Sequence, residues 1–436
     1  MTKKKRRIPR PLPVVACIVL ALLAVFCVYK LADAALDKYL PTSAPVKVSS
    51  ETSSVGGKTP SSALASSSGL PAVSSALQSS AAEDENQLPV ITGIFGDYST
   101  SAQRKLANMT LKEKVGQVFI FRCPETGALR AAADYQPGGY CLMAANFEGR
   151  TTSQVQSMLK SYQNTSKIAM VLCCDEEGGT VVRVSKYPAL SATVFRSPQQ
   201  VFKRSGMNGI YSDTVKKAQL FKKLGLNLNL APVCDVSTNS SDFIYDRSFG
   251  KNAAQTADFV TTSVKAYNSQ NISSALKHFP GYGNNKDTHT GIAYDKRSYS
   301  TFTSSDFIPF KAGIDAGAQS IMVSHTIVNS MDAKNPASLS PKVHSILRKE
   351  LGFTGIIMTD DLSMDAIPDF TGGKNPSVAA FNAGNDVLLS SNISGDFNAL
   401  YAAVKDGTVS EARLNESVCR ILAWKYKMGI LPSPSN

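Results

Sequence analysis

The strongest constraint on how this 436-residue chain folds is a rhythm that begins near Phe95. Short apolar runs recur, each followed by a polar or glycine-rich patch and then a stretch patterned as helix. The runs are VGQVFIFR (115–122), GGYCLMAANF (138–147), IAMVLCCDEEGG (168–179), LNLNLAPVCDV (226–236), ISSALKHFPGYG (272–283), AQSIMVSHT (318–326), GIIMTDD (355–361) and NDVLLSS (385–391). Unbroken apolar strands alternating with helices are what a parallel sheet covered on both faces requires. Eight such units over about 280 residues suit a (β/α)8 TIM-like barrel, an α/β fold with a single catalytic domain, better than an open doubly wound sheet. The stretch MTLKEKVGQ opens the fold with a helix, Thr110 as its N-cap and Glu113 completing a capping box. At the other end, SEARLNESVCRILAWKYKM places Leu414, Val418, Ile421 and Leu422 on one stripe, a helix that seals the domain. No GxGxxG follows the first strand and no GxxxxGK[ST] occurs, which argues against nucleotide folds.

Ahead of this region the composition divides the chain twice more. Net charge is +12, but Lys3, Lys4, Lys5, Arg6, Arg7 and Arg10 supply six of those charges before any folded region begins. The rest is diffuse and has no interleaved aromatics, so nucleic acid is excluded as a partner. The cluster runs into an uncharged apolar stretch, 11–29, long enough to span a thin bilayer with snorkelling flanks. Residues 1–40 therefore read as a basic N-terminus plus transmembrane signal-anchor, with a cleavable signal peptide ending near Ala32-Asp33-Ala34 as the rival. Both readings place the catalytic domain outside the cell membrane. Residues 41–94 form a Ser/Ala-rich linker: Ser takes 14 of the 38 positions from 43 to 80, and no aromatic lies between Tyr39 and Phe95. Such a segment buries too little apolar surface to fold, and it gives a tether with a reach of roughly 40 Å. The folded part is 95–436. Its six cysteines show no C-x-x-C spacing and read as small core hydrophobes, with one disulfide possible on export.

In a barrel of this kind chemistry belongs at the C-terminal strand ends. Those ends read Arg122, Asn146, Asp175-Glu176-Glu177, Asp235, Lys277-His278, His325 and Asp360-Asp361, with Asp386 inside the last strand. Polar groups ending nearly every apolar strand indicate a polar active site, and carboxylates with imidazoles point to hydrolysis. Metal-assisted hydrolysis by His278, His289, His325 and an Asp lacks the H-x-H that an early barrel strand would supply. Acyl transfer lacks a G-x-S-x-G elbow. Glycoside hydrolysis needs an acid/base and a carboxylate nucleophile; Asp360 suits the second, but no other strand-end carboxylate stands out as the first.

Five motifs, CDEEGG, LNLNLAPVCDV, DRSFG, KHFPGYG and GIIMTDDLSM, occur in an order that resembles glycoside hydrolase family 3, in its β-N-acetylglucosaminidase branch. The resemblance runs from about Met109 to the final helix. It implies a retaining mechanism on a (β/α)8 barrel without metal or cofactor. It also implies an acid/base His held by an Asp in a D-x-H loop after the fifth strand. On that correspondence Asp360 is the nucleophile, His289 the acid/base and Asp287 its orienting partner. Asp175, Arg247, Lys277 and His278 match positions that hold the sugar, and Arg122 is a further sugar contact. The implied partner is a β-linked N-acetylglucosamine glycan, from cell-wall muropeptides or chitin-type oligosaccharides. Two positions depart from the family pattern: Tyr282 replaces a His, and the stretch Asn284-Asn285-Lys286 is one residue shorter. Both bear on how the loop delivers His289. The alternatives are a family-3 β-glucosidase or β-xylosidase, which the D-x-H motif disfavours, and a silent glycan-binding barrel. Outside the site, His344 is expected on a helix surface. Asp361 is expected to bond its loop, and Asp235 and Asp386 neighbouring strand ends. His325 supports the site or touches substrate.

Overall fold

The structure, a computed structural model, describes residues 88–285, 287 and 291–432. Eight parallel strands follow in chain order: β1 (Phe119–Arg122), β2 (Gly139–Cys141), β3 (Val171–Cys174), β4 (Leu228–Asn229), β5 (Ser273–Phe279), β6 (Ser320–Val323), β7 (Ile356–Thr359) and β8 (Leu388–Ser390). Each pairs with the next, and β1 pairs with β8 through Phe119↔Leu388. The β7–β8 seam closes by a single bridge, Met358↔Val387, so the sheet returns on itself as a barrel. Their side chains are buried on both faces, which explains why these strands read as unbroken apolar runs and not as alternation.

Helices cover the outside: α1 (Ala128–Tyr135), α2 (Thr152–Thr165), α3 (Pro198–Leu224), α4 (Ala253–Ser269), α5 (Phe307–Asp315), α6 (Pro341–Ser345), α7 (Ser377–Ala383), α8 (Ile393–Lys405) and a closing α9 (Glu411–Lys427). The expected capping box at Thr110 and Glu113 is present, both partners bonded. The packed chain starts earlier than Phe95, because Ile91 is buried and donates its N–H to Ser99 Oγ at 2.9 Å.

The base of the barrel is plugged by α9. Trp424 is fully buried, and its indole N–H reaches Ser273 Oγ and Gln319 Oε1, both at 3.1 Å. Lys425 Nζ donates to Gln117 Oε1 at 2.6 Å. These three acceptors stand at or just before the starts of β5, β6 and β1, so one helix turn seals the end opposite the strand exits. Leu414, Val418, Ile421 and Leu422 are all buried, as their spacing predicts.

Two expectations are corrected. His344 is not on a surface: it is buried in α6, donating from Nδ1 to Ser340 O at 2.8 Å, and burial depresses its pKa. Asp386 lies at the entrance to β8 and not inside it, although, as expected, it bonds a neighbouring strand end, the Ile357 N–H at 3.0 Å. There it takes Arg348 at 2.6 Å and Arg420 at 2.5 Å, pinning the helical turn Ile346–Glu350 after α6, and α9, to the base. All six cysteines among the described residues are buried and free. The apolar run 11–29 lies outside the described residues; among those described, no helix is long and apolar enough to cross a membrane.

Candidate active site

The three carboxylates that follow β3 do three different things. Glu176 turns back and accepts the backbone N–H groups of Arg183 (2.9 Å) and Val184 (2.7 Å), together with the Ser185 hydroxyl. It thereby fixes a short hairpin, Glu176–Gly178 against Val181–Val182. Asp175 faces the barrel mouth and accepts Lys277 Nζ at 2.7 Å. Glu177, 4% exposed, takes Lys277 at 2.6 Å and the Arg247 guanidinium through two bonds of 2.8 and 3.0 Å. Burial would raise the Glu177 pKa, but the two cations outweigh it and hold the carboxyl well below its ordinary range. The same pairing keeps Arg247 and Lys277 charged despite their burial. Glu177 is the residue that sequence reading left unassigned, since a middle member of a D-E-E run offers no cue to its partners. Arg183, whose Nε stands 3.9 Å from Asp175 Oδ2, was also missed.

Arg247 is delivered by a tight turn. Its N–H bonds Ile244 O at 3.1 Å, the Ser248 N–H bonds the same carbonyl at 2.9 Å, and Phe249 beyond it stacks on Phe259 of α4 at 4.8 Å. From that turn Arg247 Nη2 also approaches His278 Nε2 at 3.3 Å. On its other side His278 Nδ1 meets Asp235 Oδ2 at 2.8 Å.

Lys277 and His278 are consecutive in β5, where regular pleating would send them to opposite faces. Pairing with β6 shifts between Leu276↔Ile321 and Phe279↔Val323, so three steps on β5 match two on β6. At this irregularity both side chains address the mouth. Asp235 buttresses this strand end, accepting the His278 N–H at 3.2 Å and the Tyr282 N–H at 2.7 Å. Tyr282 is buried, with its ring edge-on to His278 at 5.3 Å, so this departure from the family pattern puts an aromatic wall beside that imidazole.

Asp360 follows β7 directly, its N–H bonded to Val323 O at 3.0 Å, and its Oδ1 accepts the Asp361 N–H at 2.8 Å. Burial opposes ionisation, yet His278, His325, that N–H and Lys277 prevail and lower its pKa, giving an ionised carboxylate at neutral pH. His325 is fully buried; its Nε2–H donates to Asp361 O at 2.9 Å and its Nδ1 meets Ser338 Oγ at 2.7 Å. It therefore supports the Asp360–Asp361 loop from below. Asp361 bonds Ser363 and Ser391, as expected of a loop residue.

Structure thus brings together Asp175, Arg247, Lys277, His278 and Asp360. Arg122 ends β1 exposed, with no hydrogen bond or ion pair among the described residues. Asp287 is half-buried in the segment after β5. His289 lies outside the described residues. Among the described residues no His, Cys, Asp and Glu group has the arrangement to hold a metal ion.

A closed barrel with a cation-flanked carboxylate at its mouth defines a class; comparison with known proteins gives the family. Residues 101–424 match the profile of the glycosyl hydrolase family 3 N terminal domain, and the chain belongs to that family. It is 30% identical over 335 residues to beta-hexosaminidase A of Pseudoalteromonas piscicida, covering 68% of this chain and 55% of that protein. It is 33% identical over 260 residues to beta-hexosaminidase of Stenotrophomonas maltophilia (strain K279a), covering 58% of this chain and 75% of that protein. Among solved structures, a family 3 beta-N-acetylglucosaminidase from Paenibacillus sp. str. FPU-7 superposes with TM-score 0.69 at 27% identity, over 75% of this chain and 64% of that one. The chain thus spans just over half of the first of these relatives and less than two thirds of the Paenibacillus enzyme.

Proposed function

We propose that the chain is a retaining exo-β-N-acetylglucosaminidase acting on terminal β-linked N-acetylglucosamine. The observation that carries this is Asp360, an ionised carboxylate at a strand exit beside the sugar-holding group formed by Asp175, Arg247, Lys277 and His278. The names of its relatives support the choice of sugar. In the first step an Asp360 oxygen attacks the anomeric carbon, the bond to the leaving oxygen breaks, and that oxygen takes a proton from His289, oriented by Asp287. In the second step His289 removes a proton from water, whose oxygen displaces Asp360 and restores the carboxylate. A histidine suits both halves because its free pKa lies near neutral pH. Lys277 and Arg247 stay charged and fixed, so they hold the sugar without reorganising as charge develops.

The reading extends to place and substrate. The basic cluster and apolar run at the N-terminus support an exported, membrane-tethered enzyme, and that setting favours cell-wall muropeptides or chitin-type oligosaccharides as substrate. In the test, the full chain hydrolyses the 4-nitrophenyl β-N-acetylglucosaminide far faster than the β-glucoside. Trapping with a 2-acetamido-2-deoxy-5-fluoro glycoside, followed by mass spectrometry, labels Asp360. Label elsewhere overturns the nucleophile; glycan binding without turnover overturns the enzyme in favour of a silent binding barrel.

A further inference from the structure

The segment carrying Asp287 leaves the barrel after β5 and returns at Asp295, in a two-residue strand, Tyr294–Asp295, paired with Ile327–Val328 beyond β6. Both ends of that excursion converge on one side chain. Arg297 donates from Nε to both Asp295 oxygens (3.1 and 2.9 Å) and from Nη2 to Asp295 Oδ2 (2.7 Å) and Gly281 O (3.0 Å). Its Nη1 reaches both oxygens of Asp306 at 3.0 Å, just ahead of α5. All donors of the fork are engaged. Its flat face lies over Phe302, 4.3 Å from the ring centroid.

The chain is shaped to fit this fork. Gly281 (φ +123°) and Gly283 (φ +55°) hold conformations that suit glycine, and a Cβ on either would collide with Asp306 or with Arg297 itself. Asn285 adds a second tie, donating to Tyr282 O at 2.8 Å and Asp295 Oδ2 at 2.7 Å. Asp295 and Asp306 are each 1% exposed, so this is a buried charged knot whose hydrogen bonds among the described residues reach none of the sugar-holding side chains named above. A buried ion cluster is a poor stabiliser compared with apolar packing of the same volume. Its location, joining the exit from β5 to the return at Asp295, gives it another use.

We infer that Arg297 is a positioning residue for the acid/base step, because it ties the two ends of the excursion that bears Asp287 and His289. The inference rests on the proposed acid/base role of His289. A proton donor is placed to within a fraction of an ångström only when the backbone on both sides of it is held, and misplacement costs rate steeply. The substrates that suffer are those whose leaving group needs the proton.

The experiment compares the full wild-type chain with Arg297→Lys, which keeps the charge but loses the fork, and with Asn285→Ala, which loosens the same junction from its partly exposed side. Each is assayed on N,N′-diacetylchitobiose, a poor leaving group, and on the 2,4-dinitrophenyl glycoside, which needs no proton. Expected for Arg297→Lys is a loss in kcat/KM, which reports the first step alone, of about 10²-fold on the disaccharide, within the range general acid catalysis contributes, against less than about threefold on the activated glycoside. Asn285→Ala shows the same selectivity at smaller size. Equal losses on both substrates, or no loss in either variant, overturn the inference. A wild-type chain inactive on both removes the glycosidase reading, and this inference with it. Activity of the wild type on the activated glycoside separates the two failures.

Discussion

Glu177 holds two cations where water does not reach, and the cost of disturbing it sets the first prediction. Glu177→Gln leaves Arg247 and Lys277 with a weakened partner in a buried site, a change worth about 3–5 kcal/mol when a buried pair is broken. The variant is expected to unfold at lower urea and, where folded, to bind N-acetylglucosamine analogues less tightly, read by denaturation and by inhibition constants. The pH sign follows from the depressed pKa. A carboxyl lowered on folding contributes stability that is present above its ordinary value of 4.5 and is lost as pH falls through and below it. The wild type therefore loses stability on acidification in that window, and Glu177→Gln loses less; parallel curves would contradict the assignment. Asp360→Ala is expected to abolish turnover on every leaving group, whereas His289→Ala spares kcat/KM, the measure of the first step, on activated glycosides, as steady-state kinetics on the two substrate types would show. At this scale the sequence was informative where a side chain ends a strand: Asp175, Lys277, His278 and Asp360 were found from position alone. It was not where a partner is far along the chain, as Glu177 is from Arg247. His344 was misjudged because it stands among Lys342, Arg348 and Lys349, a polar neighbourhood that resembles a solvent face, although its ring turns inward.

Among the elements, β5 and α9 are the informative pair. The β5 sequence ISSALKHFPGYG signals a strand and a turn, but nothing in residue identity announces the shift against β6, which depends on how its neighbour pairs. The helix α9 and its sealing role were legible from its apolar stripe, while the partners of that seal were not, because Trp424 and Lys425 meet acceptors at the entrances of three strands. Trp424→Ala is expected to cost about 3–5 kcal/mol, the range for removing a buried large aromatic, measured by urea denaturation. Lys425 carries a sharper prediction. Burial lowers its pKa from 10.5 to about 7. Above 10.5 folded and unfolded states are both neutral, so the residue costs nothing through protonation. As pH falls from 10.5 to about 7 the unfolded state takes up a proton that the folded state refuses, and stability drops. Lys425→Met loses the bond to Gln117 but also this penalty. Its Tm relative to wild type is expected to rise as pH is lowered from 10.5 toward 7 and to change little below that; a difference independent of pH would show that Lys425 is not buried neutral.

For the whole molecule, the count and spacing of the apolar runs made the barrel legible, because eight parallel strands must cover themselves with helices whatever their detailed packing. Asp386 was misplaced at this scale. An Asp beside an apolar run looks the same at either end of a strand, and only the closed ring shows it to be at the base. If the N-terminal cluster and apolar run act as proposed, the full chain sediments with membranes. Deleting residues 11–29 then moves it to the soluble fraction without changing its activity per molecule, as fractionation and assay together would show. The ring itself has a consequence for how such a chain is made. Phe119 pairs with Leu388, 269 positions later (388 − 119), and the base is sealed only by Trp424 and Lys425 beyond it. Synthesis therefore delivers most of the barrel as open sheet with an unpaired edge, and closure waits for the last strand to leave the ribosome. A chain stalled before that point has no finished half to retain: quality control would face an all-or-none product, with exposed strand edges as its sign of failure.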